Sequence, residues 1–229
     1  MTTPPASFPS LVECRNCGAG APLREHFCPQ CERILTISRH GDYFIFFGLP
    51  RTLVIDPALL EARFRDLSRK FHPDFYYNAE PSERLASLER SSYLNDAYRV
   101  LKSKVSRVEY VLGLEGLALG KTSGPEGGAK VPPSLLEEVF ALNEELDGIR
   151  EEREAGGDRA ALRARLASAR VPIERKQDEH EREMDTLSVA WDARRERPAL
   201  EALRTLVLER HYLRNLLDTI DRETALLGA

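Results

Sequence analysis

The sequence predicts an all-α fold: a helical hairpin and a C-terminal three-helix bundle, preceded by a small zinc-ribbon-like segment. Three observations lead there. Apolar residues recur at three- and four-residue intervals over most of the chain beyond residue 42, the period of a helix face. No stretch carries a sheet signal, and no internal repeat is present. All four cysteines fall within residues 14–31, as two CxxC pairs ten residues apart.

Those cysteines, "CRNCGAGAPLREHFCPQC", come first. Two CxxC pairs can place four thiolates tetrahedrally around one ion, and Gly18 lets the backbone turn around Cys17 without a Cβ clash. Cys14, Cys17, Cys28 and Cys31 are the expected ligands, and structural zinc is the expected ion. Iron held by four sulfurs is the alternative, with disulfides behind both in a reducing compartment. His26 is a fifth candidate, but four cysteines already close the site. A closed site points to a clip or docking knob rather than to catalysis, and the metal supplies folding energy that so short a segment lacks.

"DYFIFFGL" (42–49) is short enough for a strand by composition, but the helices that follow favour a short helix. "IDPALLEARFRDLSRKF" (55–71) is a helix with Asp56 as N-cap and Pro57 at its first position. Leu60, Phe64, Leu67 and Phe71 form its apolar face. Arg63, Arg65, Arg69 and Lys70 lie off that face, either as a solvated basic surface or as a surface that docks an acidic partner. His72-Pro73-Asp74 follows. Proline pushes the residue before it out of the α region and fixes its own φ, so the triplet is a stiff corner. A second long helix spans 81–103, with Leu94, Ala97, Tyr98 and Leu101 inward, and pairs with the 55–71 helix as an antiparallel hairpin. A fourth helix covers 106–116. Residues 117–133, rich in Gly and Pro, are the expected linker.

Beyond the linker, 134–154 carries the seam Leu135, Val139, Leu142, Leu146 and Ile149. Asp158 caps a long helix over 159–193, interrupted or kinked at Pro172. The last helix, 199–227, turns Leu203, Leu206, Leu213, Leu217 and Ile220 inward. His40, His180 and His211 are expected at the surface.

The chain has 229 residues, 42% hydrophobic and 31% charged, with net charge −4. Nucleic-acid binders usually carry a basic excess, so no nucleic-acid partner is expected. No apolar run approaches the roughly 20 residues of a membrane span. "MTTPPASFPS" has neither a secretory h-region nor an arginine. A cytoplasmic location is expected, or the mitochondrial matrix if a transit peptide has been removed. No GxxxxGK[ST] phosphate loop and no Ser/His/Asp or Cys/His set is discernible, so no enzymatic activity is expected.

A basic amphipathic helix, HPD, then a helix containing "LNDAYRVL" resembles the J-domain. With "DYFIFFGLP", "RVEYVLGLEG" and "LLEEVFALNEELDGI", residues 42 to about 225 resemble HscB, the J-type co-chaperone family of iron–sulfur cluster assembly. The tetracysteine segment departs from the shorter bacterial pattern and is similar to the N-terminus of longer, eukaryote-like forms. The resemblance implies a metal segment (1–41), a J-domain (42–116), the linker (117–133) and a client-binding bundle (134–229). It implies that His72, Pro73 and Asp74 trigger the ATPase of a DnaK/HscA-type chaperone, with Arg63, Arg65, Arg69 and Lys70 as electrostatic footing. It also implies delivery of the scaffold protein IscU, bound through Leu135, Leu136, Val139 and Tyr212. Phe140 lies beside Leu136 on the same strip. Pattern assigns Leu135 and Val139 to the core, while resemblance assigns them to the client. Two alternatives stand beside this reading: a general J-domain protein with another client, and a zinc-ribbon nucleic-acid binder with a helical tail.

Overall fold

The computed structural model describes residues 11–37, 41–119 and 133–228. The first ten residues, His40 and positions 120–132 of the expected linker lie outside them. The chain divides into two compact units, Met1–Arg107 and Val108–Ala229.

The first unit opens with a two-stranded antiparallel ribbon, β1 (Leu11–Glu13) and β2 (Gly20–Pro22), in which Val12 pairs with Ala21. This corrects the expectation of no sheet. Three-residue strands are too short to show a period-2 pattern, and the turn around the first cysteine pair brings them together. "DYFIFFGL" is helical: α1 (Tyr43–Phe47) is capped by Asp42, whose Oδ1 accepts from the Ile45 N–H at 2.8 Å. Gly48 ends it in the left-handed region, at φ 62°. Phe44, Phe46 and Phe47 are all buried.

α2 (Pro57–Phe71) begins where its cap predicts, with Asp56 Oδ1 accepting from the Ala58 N–H at 2.9 Å. α3 (Pro81–Lys102) returns antiparallel to it. Leu60, Leu67 and Phe71 meet Leu94, Ala97 and Leu101 in the core, while Phe64, half-buried, stacks on Tyr98 at 4.2 Å between ring centroids. Arg107 is buried too, and its guanidinium donates to the carbonyls of Leu53 and Leu101.

α4 (Lys104–Leu114) crosses the boundary between the units. In the second unit, a 3-10 turn (Pro133–Leu135) leads into α5 (Leu136–Glu154), followed by α6 (Arg159–Arg194) and α7 (Arg197–Leu226). The core joins Leu135, Val139, Leu142, Leu146 and Ile149 to Leu162, Leu166 and Ile173 of α6 and to Leu213, Leu217 and Ile220 of α7. Glu223 of α7 clamps α5 by accepting from Arg150 Nε at 2.6 Å and Arg153 Nη1 at 2.7 Å.

The expected interruption at Pro172 is corrected: α6 is continuous from Arg159 to Arg194. A mid-helix proline costs about 3 kcal/mol, but Leu166 and Ile173 on either side of it are buried in the bundle core and hold the helix together. His180 is not a surface residue. It is 4% exposed, with Nε2 3.2 Å from Glu209 Oε2. His180, Met184, Ser188 and Trp191, spaced by four, four and three, continue the buried face of α6. The acidic and basic residues around them mask that spacing. His211 is partly exposed and lies 2.8 Å from Glu109 of α4.

Candidate functional site

The four cysteine sulfurs all lie within 4.8 Å of one another. Cys14 and Cys31 are 3.7 Å apart, and Cys17 and Cys28 are 3.6 Å apart. Zinc bound tetrahedrally at about 2.3 Å sets neighbouring sulfurs about 3.8 Å apart, so the set fits such an ion. Each CxxC forms a knuckle of the same design. The Cys14 N–H donates to the Ala19 carbonyl and the Gly18 N–H to the Cys14 carbonyl, both at 2.8 Å. The Cys28 N–H donates to the Arg33 carbonyl and the Glu32 N–H to the Cys28 carbonyl, both at 2.9 Å. The Arg33 amide, with Asn16, lowers the Cys31 thiol to about 6. The Ala19 amide lowers the Cys17 thiol, but burial and the other three sulfurs outweigh it and push this thiol up to about 12. Sulfurs this close resist joint ionisation unless a cation sits among them.

His26 is not among these sulfurs. Its Nδ1 lies 2.7 Å from Arg90 Nη1 of α3. Burial, and then the Arg90 charge, push the imidazole down to about 4, so it is neutral and Nδ1 accepts the hydrogen bond. Sequence reasoning missed Arg90, which sits 64 residues away, one turn before the inward stripe that begins at Leu94.

At the far end of α2, His72 is extended (φ −60°, ψ 126°), as Pro73 demands. It caps a 3-10 turn, Pro73–Tyr76, with Nδ1 accepting from the Asp74 N–H at 3.4 Å. The side chains of His72 and Asp74 are 52% and 87% exposed, so the corner presents an imidazole and a carboxylate to solvent. Three hydroxyls that the sequence reading did not single out hold it. Ser87 and Ser91 both donate to the Phe71 carbonyl at 2.8 Å, and Tyr76 donates to the Lys70 carbonyl at 3.0 Å. These two carbonyls belong to the last turn of α2, where helical partners run out. The i, i+4 serine pair on α3 is the signal that was available. Phe75 and Tyr77 are exposed beside the corner.

Arg63, Arg65, Arg69 and Lys70 are all exposed along α2. Arg65 pairs with Glu61, and Lys70 with Asp66 at 2.8 Å, which holds the Asp66 carboxyl below its usual range. Arg63 and Arg69 make no ion pair among the described residues. Exposed pairs of this kind contribute roughly 0.3–0.5 kcal/mol, so a partner's carboxylates can replace them at small cost.

In the second unit, Leu135 and Val139 are 0% and 5% exposed and belong to the core. They offer a partner no surface in this conformation. Leu136 and Phe140, 40% and 68% exposed, face outward. Tyr212 is half-buried against the core cluster, and burial raises its phenol. Among the described residues, no helix is long and apolar enough to cross a membrane.

No protein-family model matches the chain. It is 36% identical over 126 residues to a co-chaperone protein HscB homologue of Vibrio vulnificus, covering 55% of this chain and 71% of that protein. A homologue of the same name from Vibrio parahaemolyticus is 38% identical over 108 residues, 47% of this chain and 61% of that one. The crystal structure of human co-chaperone protein HscB matches 92% of this chain and 97% of its own, with TM-score 0.69 and 27% identity. Chaperone HscB from Vibrio cholerae matches 82% and 99%, with TM-score 0.57 and 26% identity. The 92% span exceeds what residues 42–229 supply, so the likeness to the human protein extends into the tetracysteine segment. With the exposed His-Pro-Asp corner on its helical hairpin, the separate helical bundle and these relatives, the chain belongs to the HscB co-chaperone family.

Proposed function

We propose that the protein stimulates the ATPase of a DnaK/HscA-type chaperone through His72, Pro73 and Asp74 and brings an IscU-type scaffold protein to that chaperone on its C-terminal bundle. It thereby supports iron–sulfur cluster assembly and transfer. The observation that carries this reading is the division of chemistry between the two units. The first presents a rigid imidazole–carboxylate corner beside a row of exposed cations. The second presents Leu136 and Phe140 on a helix whose buried face is already satisfied by the core. Arg63, Arg65, Arg69 and Lys70 steer an acidic chaperone surface toward the corner. Leu136, Phe140 and Tyr212 hold the client, with Leu135 and Val139 supporting them from beneath. Two linked binding units raise the local concentration of client at the chaperone without any new contact. Cys14, Cys17, Cys28 and Cys31 hold one zinc ion in a structural role.

Steady-state ATP hydrolysis by a DnaK-type chaperone, measured with saturating co-chaperone, tests the reading. The wild type stimulates hydrolysis. His72→Gln loses nearly all stimulation while retaining wild-type affinity for the scaffold protein by calorimetry. Its thermal stability stays within about 0.5 kcal/mol of wild type, as for other surface substitutions. Full stimulation by His72→Gln overturns the assignment.

A further inference from the structure

The metal-bearing segment is docked under the corner that this reading assigns to the chaperone. Phe71, fully buried, is the last residue of α2 and directly precedes His72. Two rings of the segment cover it: His26 at 5.1 Å and Phe27 at 6.0 Å between centroids. Arg90 of α3 threads into the same place. Its Nε donates to the Leu35 carbonyl at 2.6 Å, its Nη2 to the Thr36 carbonyl at 3.4 Å and its Nη1 to His26. The guanidinium carbon stands 5.4 Å from the centre of the Phe71 ring and 5.8 Å from that of Phe46.

Arg90 is 4% exposed and makes no ion pair among the described residues. A buried guanidinium is tolerated only where its donors are met, and every acceptor here comes from the tetracysteine segment. On the same face of α3, Ser87 and Ser91 hold the Phe71 carbonyl. Ring and carbonyl of the residue before the corner are thus fixed together, the ring by the segment and the carbonyl by the helix that carries Arg90. The segment's own core is Cys14, Ala21, Cys28 and Leu35. Two of those four are metal ligands, so the segment keeps its shape only while the ion ties the knuckles together.

We propose that the tetracysteine segment is a positioning element for the His72–Asp74 corner, with Arg90 as the residue that couples them. This inference rests on the corner being the chaperone trigger. When the metal leaves, the knuckles open and the Leu35 and Thr36 carbonyls withdraw. Arg90 then swings to solvent, Phe71 loses its cover and the end of α2 frays at His72. Stimulation of the chaperone becomes dependent on an ion that touches neither the chaperone nor the client.

Hydrogen exchange by mass spectrometry, read beside ATPase stimulation, tests this on the full chain. Three samples are compared: metal-loaded wild type, wild type reduced and stripped with a chelator, and metal-loaded Arg90→Met. In the second and third, amides of residues 69–78 exchange faster and stimulation falls about 2- to 30-fold, while α5, α6 and α7 keep their protection. Arg90→Lys, which retains one donor group where three bonds are made, recovers part of the loss. Unchanged protection at 69–78 in stripped protein whose knuckle amides have fully exchanged overturns the proposal. Loss of protection throughout α2 and α3 also overturns it, because the segment is then a general stabiliser. The exchange readout needs no chaperone. If loaded wild type stimulates no DnaK-type ATPase, the trigger assignment fails while the coupling is still decided.

Discussion

Gly18 and Glu32 occupy equivalent places in the two cysteine knuckles. Each lies four residues after the first cysteine of its pair, donates its N–H to that cysteine's carbonyl and adopts left-handed backbone, at φ 72° and 61°. Glycine takes this conformation freely, whereas the Cβ of a glutamate crowds the following carbonyl. Glu32→Gly is therefore expected to stabilise the segment by about 1 kcal/mol. Competition with a chelator measures this as slower metal loss. Faster loss from the variant would mean that the Glu32 side chain makes a compensating contact.

The donor set predicts one zinc ion per chain, seen as a single mass increment under native conditions. Cys28→Ser removes a buried ligand and should release the ion. Knuckle amides at residues 14–35 should then exchange freely, while the bundle core of α5, α6 and α7 stays protected. Retention of one full equivalent by the variant would place the metal elsewhere.

Neighbouring leucines at the start of α5 should behave oppositely. Leu135→Ala empties a fully buried site and should cost 2–5 kcal/mol of stability, the usual range for buried leucines. Leu136→Ala with Phe140→Ala should leave urea denaturation nearly unchanged. Affinity for an IscU-type scaffold should fall by roughly 2–4 kcal/mol if these side chains are central anchors. Unchanged affinity by calorimetry would put the client on another face.

His180 should make the bundle acid-sensitive. Burial lowers its imidazole below the ordinary value of 6.5, and Lys176 lowers it further. Glu209, Glu183 and Glu179 act in the opposite direction without overcoming burial. Its Nδ1 is buried with no hydrogen-bond partner among the described residues. The unfolded chain therefore takes up the proton first as pH falls. The stability that depends on a neutral His180 is complete above about pH 6.5 and is lost progressively below it. His180→Gln still donates to Glu209 but does not titrate. The difference between its urea midpoints at pH 7.5 and 5.5 should be smaller than in wild type. Equal differences would show that another group titrates.

Local chemistry made much of the molecule legible in the sequence. Asp56 with Pro57, and Asp158, start helices because their side chains meet free N–H groups two residues on, whatever packs nearby. Two CxxC pairs gather four sulfurs because each knuckle is closed by its own backbone. His72 ends α2 because Pro73 follows it. Leu142, Leu146 and Ile149 fall on one stripe of α5 by their spacing, and all three are in the core.

Tertiary structure decided what covers each surface. Leu135 closes the 3-10 turn and Leu136 opens α5, and the places of α6 and α7 leave the first buried and the second exposed. His180 reads as a polar residue among charges until α7 brings Glu209 against it. Arg90 reads as a solvated cation on α3 until the metal segment, 54 to 64 residues earlier, delivers two carbonyls and an imidazole to its guanidinium. Caps, knuckles and proline corners depend on atoms within a turn or two of one another. Burial depends on a second element arriving from far along the chain, and no local pattern carries that information.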